Sequence, residues 1–315
     1  MLLSILIPTY NRQKFLLKNL EILCAIITEN NLNNDVEIII SNNCSPDSTS
    51  QKVRIFMEMY PDIKITFFDQ PQNIGLEANA LLVLSESHSE YAMYLGDDDY
   101  LTKEYLVQLV KRIKVCRDIS CIIPSYQNIN PEGNHINDGR DIGLKSQVYS
   151  GGFENCLENS FRGHQLSGLT FKQEGLLDTY RKNAVQNMYP FIYFVSRCCL
   201  DGKTWHFTDY PVLVTAAPQK DKDWGYGNDG LLANIFDNYK KLEGINTIQR
   251  SKLELRFLFR QHWRYDMYLS KGKLIFANVV LNIIKSRNTS WPTKIIFPGY
   301  ITYRMVRKIV RKCLP

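Results

Sequence analysis

A chain of 315 residues with 44% hydrophobic and 22% charged content has material for one large domain or two and excludes a disordered polymer. Its formal charge of +6 is unevenly placed: from Arg250 onward 15 Lys and Arg face two acids, Glu254 and Asp266, a local net of +13, so residues 1–249 carry −7. The eight cysteines show no Cys-x-x-Cys pair and no metal-knuckle spacing, which reads as reduced cytosolic thiols filling core rather than a zinc module.

Leu2 to Ile7 is an apolar run without a basic leader and is stopped by Pro8, so it predicts a strand rather than a signal peptide. After the loop Pro8-Thr9-Tyr10-Asn11-Arg12, the residues Phe15, Leu16, Leu20, Leu23 and Ile27 recur at helical spacing. Val36 to Ile40 predicts a second buried strand, ending in the polar loop Ser41 to Thr49 and a helix with Ile55, Phe56 and Met59. A third strand, Ile63 to Phe68, leads through Asp69 to Gly75 into a helix carrying Ala78, Leu81 and Leu82. Tyr91 to Leu95 predicts the fourth strand. No run reaches the roughly 18 apolar residues that a membrane-spanning helix needs.

Strands alternating with helices predict βαβ units, a mostly parallel sheet and right-handed crossovers. All the polar loops then emerge at one sheet edge, where open α/β sheets bind ligands. At that edge Gly96 delivers Asp97-Asp98-Asp99, a cluster suited to holding Mg²⁺ or Mn²⁺ against a phosphate. The plainer reading is a solvated acidic turn before a helix capped at Thr102.

Ser4-Ile5-Leu6-Ile7-Pro8-Thr9-Tyr10-Asn11-Arg12, the Asn73-Ile74-Gly75 turn and Leu95-Gly96-Asp97-Asp98-Asp99 together resemble the signatures of family 2 glycosyltransferases with the GT-A fold. The likeness covers residues 1–115 well and 165–215 weakly. It implies an α/β, Rossmann-related, mostly parallel sheet flanked by helices. A nucleotide-sugar half at 1–115 and an acceptor half at 116–225 would precede a basic helical C-terminal extension at 226–315. It also implies that Pro8, Thr9, Tyr10, Arg12, Asn42, Asn73 and Asp97 hold the nucleotide-sugar, with Asp98 and Asp99 binding Mn²⁺ or Mg²⁺ on its diphosphate. Tyr10 can stack on a base or ribose, Arg12 can neutralise phosphate, and Asn42 or Asn43 can bond base edges.

Two departures stand out. Many relatives carry Asp where this chain has Asn42, so base recognition is altered or the base is not uracil. Many also read Asp-x-Asp-Asp where this chain reads Gly96-Asp97-Asp98-Asp99, which leaves Asp98 as the aligned ligand, whereas strand alternation places Asp97 and Asp99 on one side.

Beyond a strand at Ile119 to Pro124, residues 125–150 lack apolar periodicity and predict a long loop. Ser167 to Phe171, Gly202 to Phe207 and Tyr210 to Thr215 predict three more strands around a helix from Pro190 to Leu200. In the family this half supplies the acceptor site and, in many members, a Glu-Asp pair containing the catalytic base. The corresponding stretch, Asn187-Met188-Tyr189-Pro190, has no acid. His164, Asp223 and Asp229 are the substitutes. Asp223-Trp224-Gly225-Tyr226-Gly227 has the makeup of a loop that stacks on a sugar and closes over a site, while Asp229 reads equally as a helix N-cap.

From Ser251 the pattern is helical to the end, with a break near Pro292 and Pro298. Arg304, Arg307, Lys308, Arg311 and Lys312 segregate from Tyr303, Val306, Ile309, Val310 and Cys313, after Trp291, Phe297 and Tyr300. That is an amphipathic, basic helix suited to an anionic membrane surface, against the alternative of an ordinary packing helix.

The leading expectation is therefore a metal-dependent, inverting glycosyltransferase in surface-polysaccharide synthesis. It would use a nucleotide-sugar donor and a glycan or lipid-linked glycan acceptor, and work from the cytoplasmic face of the membrane. The alternatives are a sugar nucleotidyltransferase, a non-catalytic transferase fold, or a nucleic-acid-binding module. Nucleic acid is disfavoured because the charge sits on one helix and the candidate site is acidic.

Overall fold

The computed structural model describes residues 1–216 and 232–313, with side chains as far as Arg307 in the last helix. The first half alternates strand and helix: β1 (Leu3–Thr9), α1 (Gln13–Glu29), β2 (Val36–Asn42), α2 (Thr49–Met59), β3 (Ile65–Asp69), α3 (Leu76–Ser85), β4 (Tyr91–Tyr94) and α4 (Lys103–Val115). The hydroxyl of Thr102 accepts the Tyr105 N–H at 3.2 Å and caps α4, as its sequence position predicts.

The second half contains β5 (Ile119–Ile129), β6 (His135–Arg140), β7 (Gln147–Tyr149), α5 (Phe153–Asn159), a 3₁₀ turn (Ser160–His164), β8 (Thr170–Lys172), α6 (Leu176–Lys182), α7 (Pro190–Asp201) and β9 (Lys203–Thr215). Helices α8 (Leu232–Ile235), α9 (Asp237–Lys240), α10 (Thr247–Arg260), α11 (Trp263–Lys271), α12 (Lys273–Lys285) and α13 (Trp291–Cys313) follow.

The nine strands form one sheet in the order β3-β2-β1-β4-β8-β5-β9-β7, with β6 paired to β5. Strands β1 to β4 are mutually parallel, and β8 enters antiparallel between β4 and β5. Side-chain alternation divides the core. Leu3, Ile5 and Ile7 of β1, Val36, Ile38 and Ile40 of β2, and Tyr91 and Met93 of β4 face the layer of α1, α2 and α4. Leu6, Ile39, Ala92 and Tyr94 face α3 and α7 instead. There the Tyr94 ring packs edge-on against Phe191 of α7, with centroids 4.7 Å apart.

Residues 125–150 are not a loop. Strand β5 runs on to Ile129, turns at Gly133 (φ 98°) and returns as β6, while β7 closes the β9 edge. The predicted periodicity is missing because β6 is a solvent-exposed strand with almost no buried face. The two strands expected within 202–215 are one, β9, with a register shift opposite Pro124 and Tyr126. Pro298 lies inside α13 and does not end it.

The C-terminal helices continue the core of the second sheet face, where Leu253, Phe257 and Leu258 of α10 join Phe236, Tyr239 and Phe297. The fully buried Glu254 accepts from Arg250 Nε at 2.7 Å and from the Ser290 hydroxyl at 2.6 Å, which fixes the start of α13. The predicted boundary between residues 225 and 226 lies outside the described residues.

Candidate active site

Parallel register brings the ends of the first strands level, since Thr9 pairs with Asn42 and Asn42 with Asp69. The loops after β1, β2 and β3 and the acidic turn after β4 therefore share one edge, and hydrogen bonds cross-tie them. Thr9 Oγ1 donates to Asp97 Oδ2 at 2.7 Å, joining the first signature to the third. Asn43 Oδ1 accepts the Ile74 N–H at 2.8 Å, and Asn43 Nδ2 donates to Asn73 Oδ1 at 3.0 Å. Asn73 Oδ1 also takes the N–H of Gly75, whose φ of 87° suits a residue without Cβ. Tyr10 presents its ring to solvent at 46% exposure. Pro8 and Arg12 are half-buried, and the Arg12 guanidinium lies 5.8 Å from the Phe15 ring.

Asn42 is 1% exposed, and its amide serves the loop rather than an open base-reading position. Nδ2 donates to Asp69 Oδ1 at 2.8 Å, while Oδ1 accepts from the backbone N–H and hydroxyl of Ser45. Asp69 also accepts from Ser50 and faces Arg54 at 3.5 Å.

The acidic triplet is a turn, not a continued strand, so alternation does not govern it: the Asp99 N–H returns to Gly96 O at 3.2 Å. Expected as exposed loop acids, Asp98 and Asp99 are 3% and 5% exposed, while Asp97 is half-buried. The Asp99 carboxylate points into the protein. Its Oδ2 accepts from Ser167 Oγ and from Gln165 Nε2 at 3.2 Å, and its Oδ1 accepts the Thr215 N–H at 2.8 Å. The Asp98 carbonyl accepts the Thr215 hydroxyl. Asn19 of α1, fully buried, holds the turn from below through Gly96 O at 2.9 Å and Asp99 O at 2.8 Å. Gly96 is tightly enclosed, because a Cβ there would stand 2.9 Å from Asp99 Oδ2. Tyr100 follows, its phenol pushed up to about 12 by burial and the three carboxylates.

These clamps escaped the sequence reading, except that Asn19 stands between Leu16, Leu20 and Leu23 on an apolar helical stripe, a visible anomaly. Among the described residues no group of three or more His, Cys, Asp or Glu has metal-binding geometry by itself. The oxygen chemistry of Asp97 and Asp98 still suits Mg²⁺ or Mn²⁺, which are commonly held by one or two carboxylates plus substrate phosphates.

His164 ends the 3₁₀ turn, one residue from the Gln165 amide that reaches Asp99. Its Nδ1 lies 3.0 Å from Phe161 O and 3.0 Å from Gln261 Nε2. Burial and the guanidiniums of Arg140 and Arg264 hold its pKa well below the usual imidazole value, so the ring is neutral at pH 7. Asp223 and Asp229 lie outside the described residues.

Residues 4–174 match the family model described as glycosyl transferase family 2, more than half of the chain. The chain belongs to glycosyl transferase family 2. Within that family it is 35% identical over 228 residues to abequosyltransferase RfbV of Salmonella typhimurium, an alignment covering 68% of this chain and 66% of the relative. It is 31% identical over 166 residues, 50% of this chain and 52% of the relative, to a GalNAc(5)-diNAcBac-PP-undecaprenol β-1,3-glucosyltransferase of Campylobacter jejuni. The chain thus spans just under two thirds and about half of these relatives' lengths. The crystal structure of Staphylococcus aureus TarS 1-349 with UDP-GlcNAc superimposes with a TM-score of 0.69 at 16% identity, over 91% of this chain and 81% of that one. That likeness shows the GT-A fold.

Proposed function

We propose that this family 2 chain is a metal-dependent glycosyltransferase that moves a sugar from a nucleotide-sugar to a glycan acceptor carried on a lipid, in surface-polysaccharide synthesis. The observation that carries the reading is the meeting, at one sheet edge, of the exposed Tyr10 ring, the cross-tied Asn43 and Asn73 loops, and Thr9-bonded Asp97 beside Asp98. The names of the two curated relatives support it, since one is an abequosyltransferase and the other is named for an undecaprenol-linked glycan.

In this reading Tyr10 stacks on the base or ribose, and Arg12 opposes phosphate charge. Asp97 and Asp98 would hold Mn²⁺ or Mg²⁺ beside the donor diphosphate, while Asp99 keeps the turn in place. Thr9 fixes the orientation of the Asp97 carboxylate. When bound, the ion neutralises charge on the departing diphosphate. The neutral His164 imidazole is the base that takes the proton of the acceptor hydroxyl as the oxygen attacks the anomeric carbon. Asp223 and Asp229 are the competing bases. A single displacement of this kind inverts the anomeric centre.

The membrane reading draws on α13. Its inner side packs through Thr293, Phe297 and Tyr300, while Trp291, Ile295, Tyr303 and Val306 stand outward at 61%, 69%, 60% and 53% exposure. Leu274 of α12 is 82% exposed, and Lys273, Lys285, Lys294 and Arg307 lie on the same two helices. Exposed aliphatic and aromatic groups among bases suit an anionic lipid surface. No described helix is long and apolar enough to cross a membrane.

The decisive experiment is a thermal-shift screen of nucleoside diphosphates and nucleotide-sugars with and without Mn²⁺, followed by product analysis with the stabilising donor. A nucleotide-sugar that raises Tm only with the metal, and is then consumed, supports the proposal. Stabilisation by no nucleotide under either condition overturns it.

A further inference from the structure

Helices α11, α12 and α13 enclose a cavity of about 560 Å³ away from the acidic turn, a volume within the range of small-molecule sites. Its wall mixes Phe276, Ile301 and Tyr303 with Arg304 and Arg307. Arg304 is held by Asp266 Oδ2 and Tyr300 Oη, each at 3.4 Å, so its charge is partly matched. Arg307 has no ion-pair partner among the described residues. Tyr265 also lines the cavity at 3% exposure, and its hydroxyl has no hydrogen-bond partner there, an unusual condition for a buried phenol. Tyr303 belongs both to this wall and to the outward apolar stripe of α13, so the cavity communicates with the exposed apolar surface.

These features point to one kind of occupant. A purely apolar ligand would leave the buried Tyr265 hydroxyl unanswered and the Arg307 charge unused, and a bare anion would leave Phe276, Ile301 and Tyr303 uncovered. We propose that the cavity binds a single phosphate-bearing lipid, with its phosphate at Arg304, Arg307 and Tyr265 and its chain along Phe276, Ile301 and Tyr303. The proposal deepens the membrane reading above and rests on it for the source of the lipid: a bilayer phospholipid or the acceptor's own lipid carrier.

The test titrates the full chain with dodecyl phosphate below its micellar concentration, following heat or tryptophan fluorescence. Dodecyl maltoside and inorganic phosphate serve as the neutral-chain and bare-anion controls. Saturable 1:1 binding of dodecyl phosphate alone is expected, weakened about tenfold by Arg307→Gln and also weakened by the conservative Tyr265→Phe. Ile301→Trp, which fills the cavity, should abolish it, with an unchanged Tm showing that the fold survives. Equal binding of dodecyl maltoside, tight binding of phosphate alone, or indifference to all three substitutions overturns the proposal. Sedimentation with phosphatidylglycerol vesicles is read in parallel. Retained vesicle binding with no dodecyl phosphate binding sinks the cavity site alone, whereas the reverse sinks the membrane reading alone. An undecaprenyl phosphate that outcompetes phosphatidylglycerol would assign the site to the acceptor's carrier, and the opposite order to the bilayer.

Discussion

Asp99 Oδ1 accepts the backbone N–H of Thr215 at 2.8 Å, a bond that spans 116 residues and ties the acidic turn of the first half to the end of the last strand. With Ser167 and Gln165 on the other oxygen, this carboxylate is bonded to three residues of the second half. Asp99→Ala should therefore lower stability by about 1–3 kcal/mol, the usual cost of stranding buried hydrogen-bond donors. Asp97→Ala and Asp98→Ala should abolish transfer and metal-dependent donor binding. Melting curves and kcat for the three variants check this, and an unchanged Tm in Asp99→Ala, or full turnover in Asp97→Ala or Asp98→Ala, would refute it.

Asn42 and Asp69 form a second such pair, at 2.8 Å. Asn42→Asp would set two carboxylates face to face and should cost on the order of 1–2 kcal/mol at pH 7. Adding Asp69→Asn restores an amide-carboxylate pair and should recover most of that loss. A double-mutant cycle without coupling would show that the contact contributes nothing.

The catalytic base separates into three candidates. His164→Gln should lower kcat by about two to four orders of magnitude while sparing donor binding, if the imidazole takes the proton. Because the pKa of His164 is depressed, the acid limb of the wild-type rate profile should fall below the ordinary histidine range. If instead Asp223→Asn or Asp229→Asn removes turnover and His164→Gln does not, the imidazole joins Gln261 to the acceptor half and has no chemical role.

Stability should decline on acidification in two stages. His164 and His206 both have depressed pKa values, His206 through burial and the Arg162 and Arg140 charges outweighing its 3.0 Å bond to Asp141. The unfolded chain therefore binds protons first, and stability is lost as pH falls through about 6.5. Asp141 follows. Burial raises its pKa, but His206, Arg162 at 2.7 Å and Arg140 at 3.2 Å hold it well below the carboxylate range, so its contribution is lost as pH falls below about 4. Tm measured from pH 8 to pH 3 reads both limbs, and a Tm that rises between pH 7 and pH 5 would contradict the first.

The outward stripe of α13 yields the last prediction. Ile295→Asp with Tyr303→Asp should release the chain from phosphatidylglycerol vesicles and slow transfer to a lipid-linked acceptor more than to a short soluble analogue. Added salt should weaken wild-type binding through screening. An unchanged vesicle partition would leave the stripe as mere exposed surface.

The alternation of apolar runs with helical stripes, each closed by Pro, Gly or Asn, was enough by itself to determine the parallel half. The common loop edge follows from parallel direction, whereas the order that sets β4 beside β1 came only from the tertiary structure. Thr9, Tyr10, Asn73 and the Asp triplet were legible for that reason, because a signature lying at a strand's carboxyl end can only arrive at that edge. The tertiary structure decided which partners the Asp99 carboxylate and the Asn42 amide meet. Whether Asp99 faces a ligand or Thr215, and whether Asn42 meets a base or Asp69, depends on partners 116 and 27 residues away. Local propensity carries no information about such contacts. The same holds for α13, whose heptad-like pattern offered two faces. Only the packing of Phe297 and Tyr300 onto the helices before it determined that Ile295 and Tyr303 stand outward.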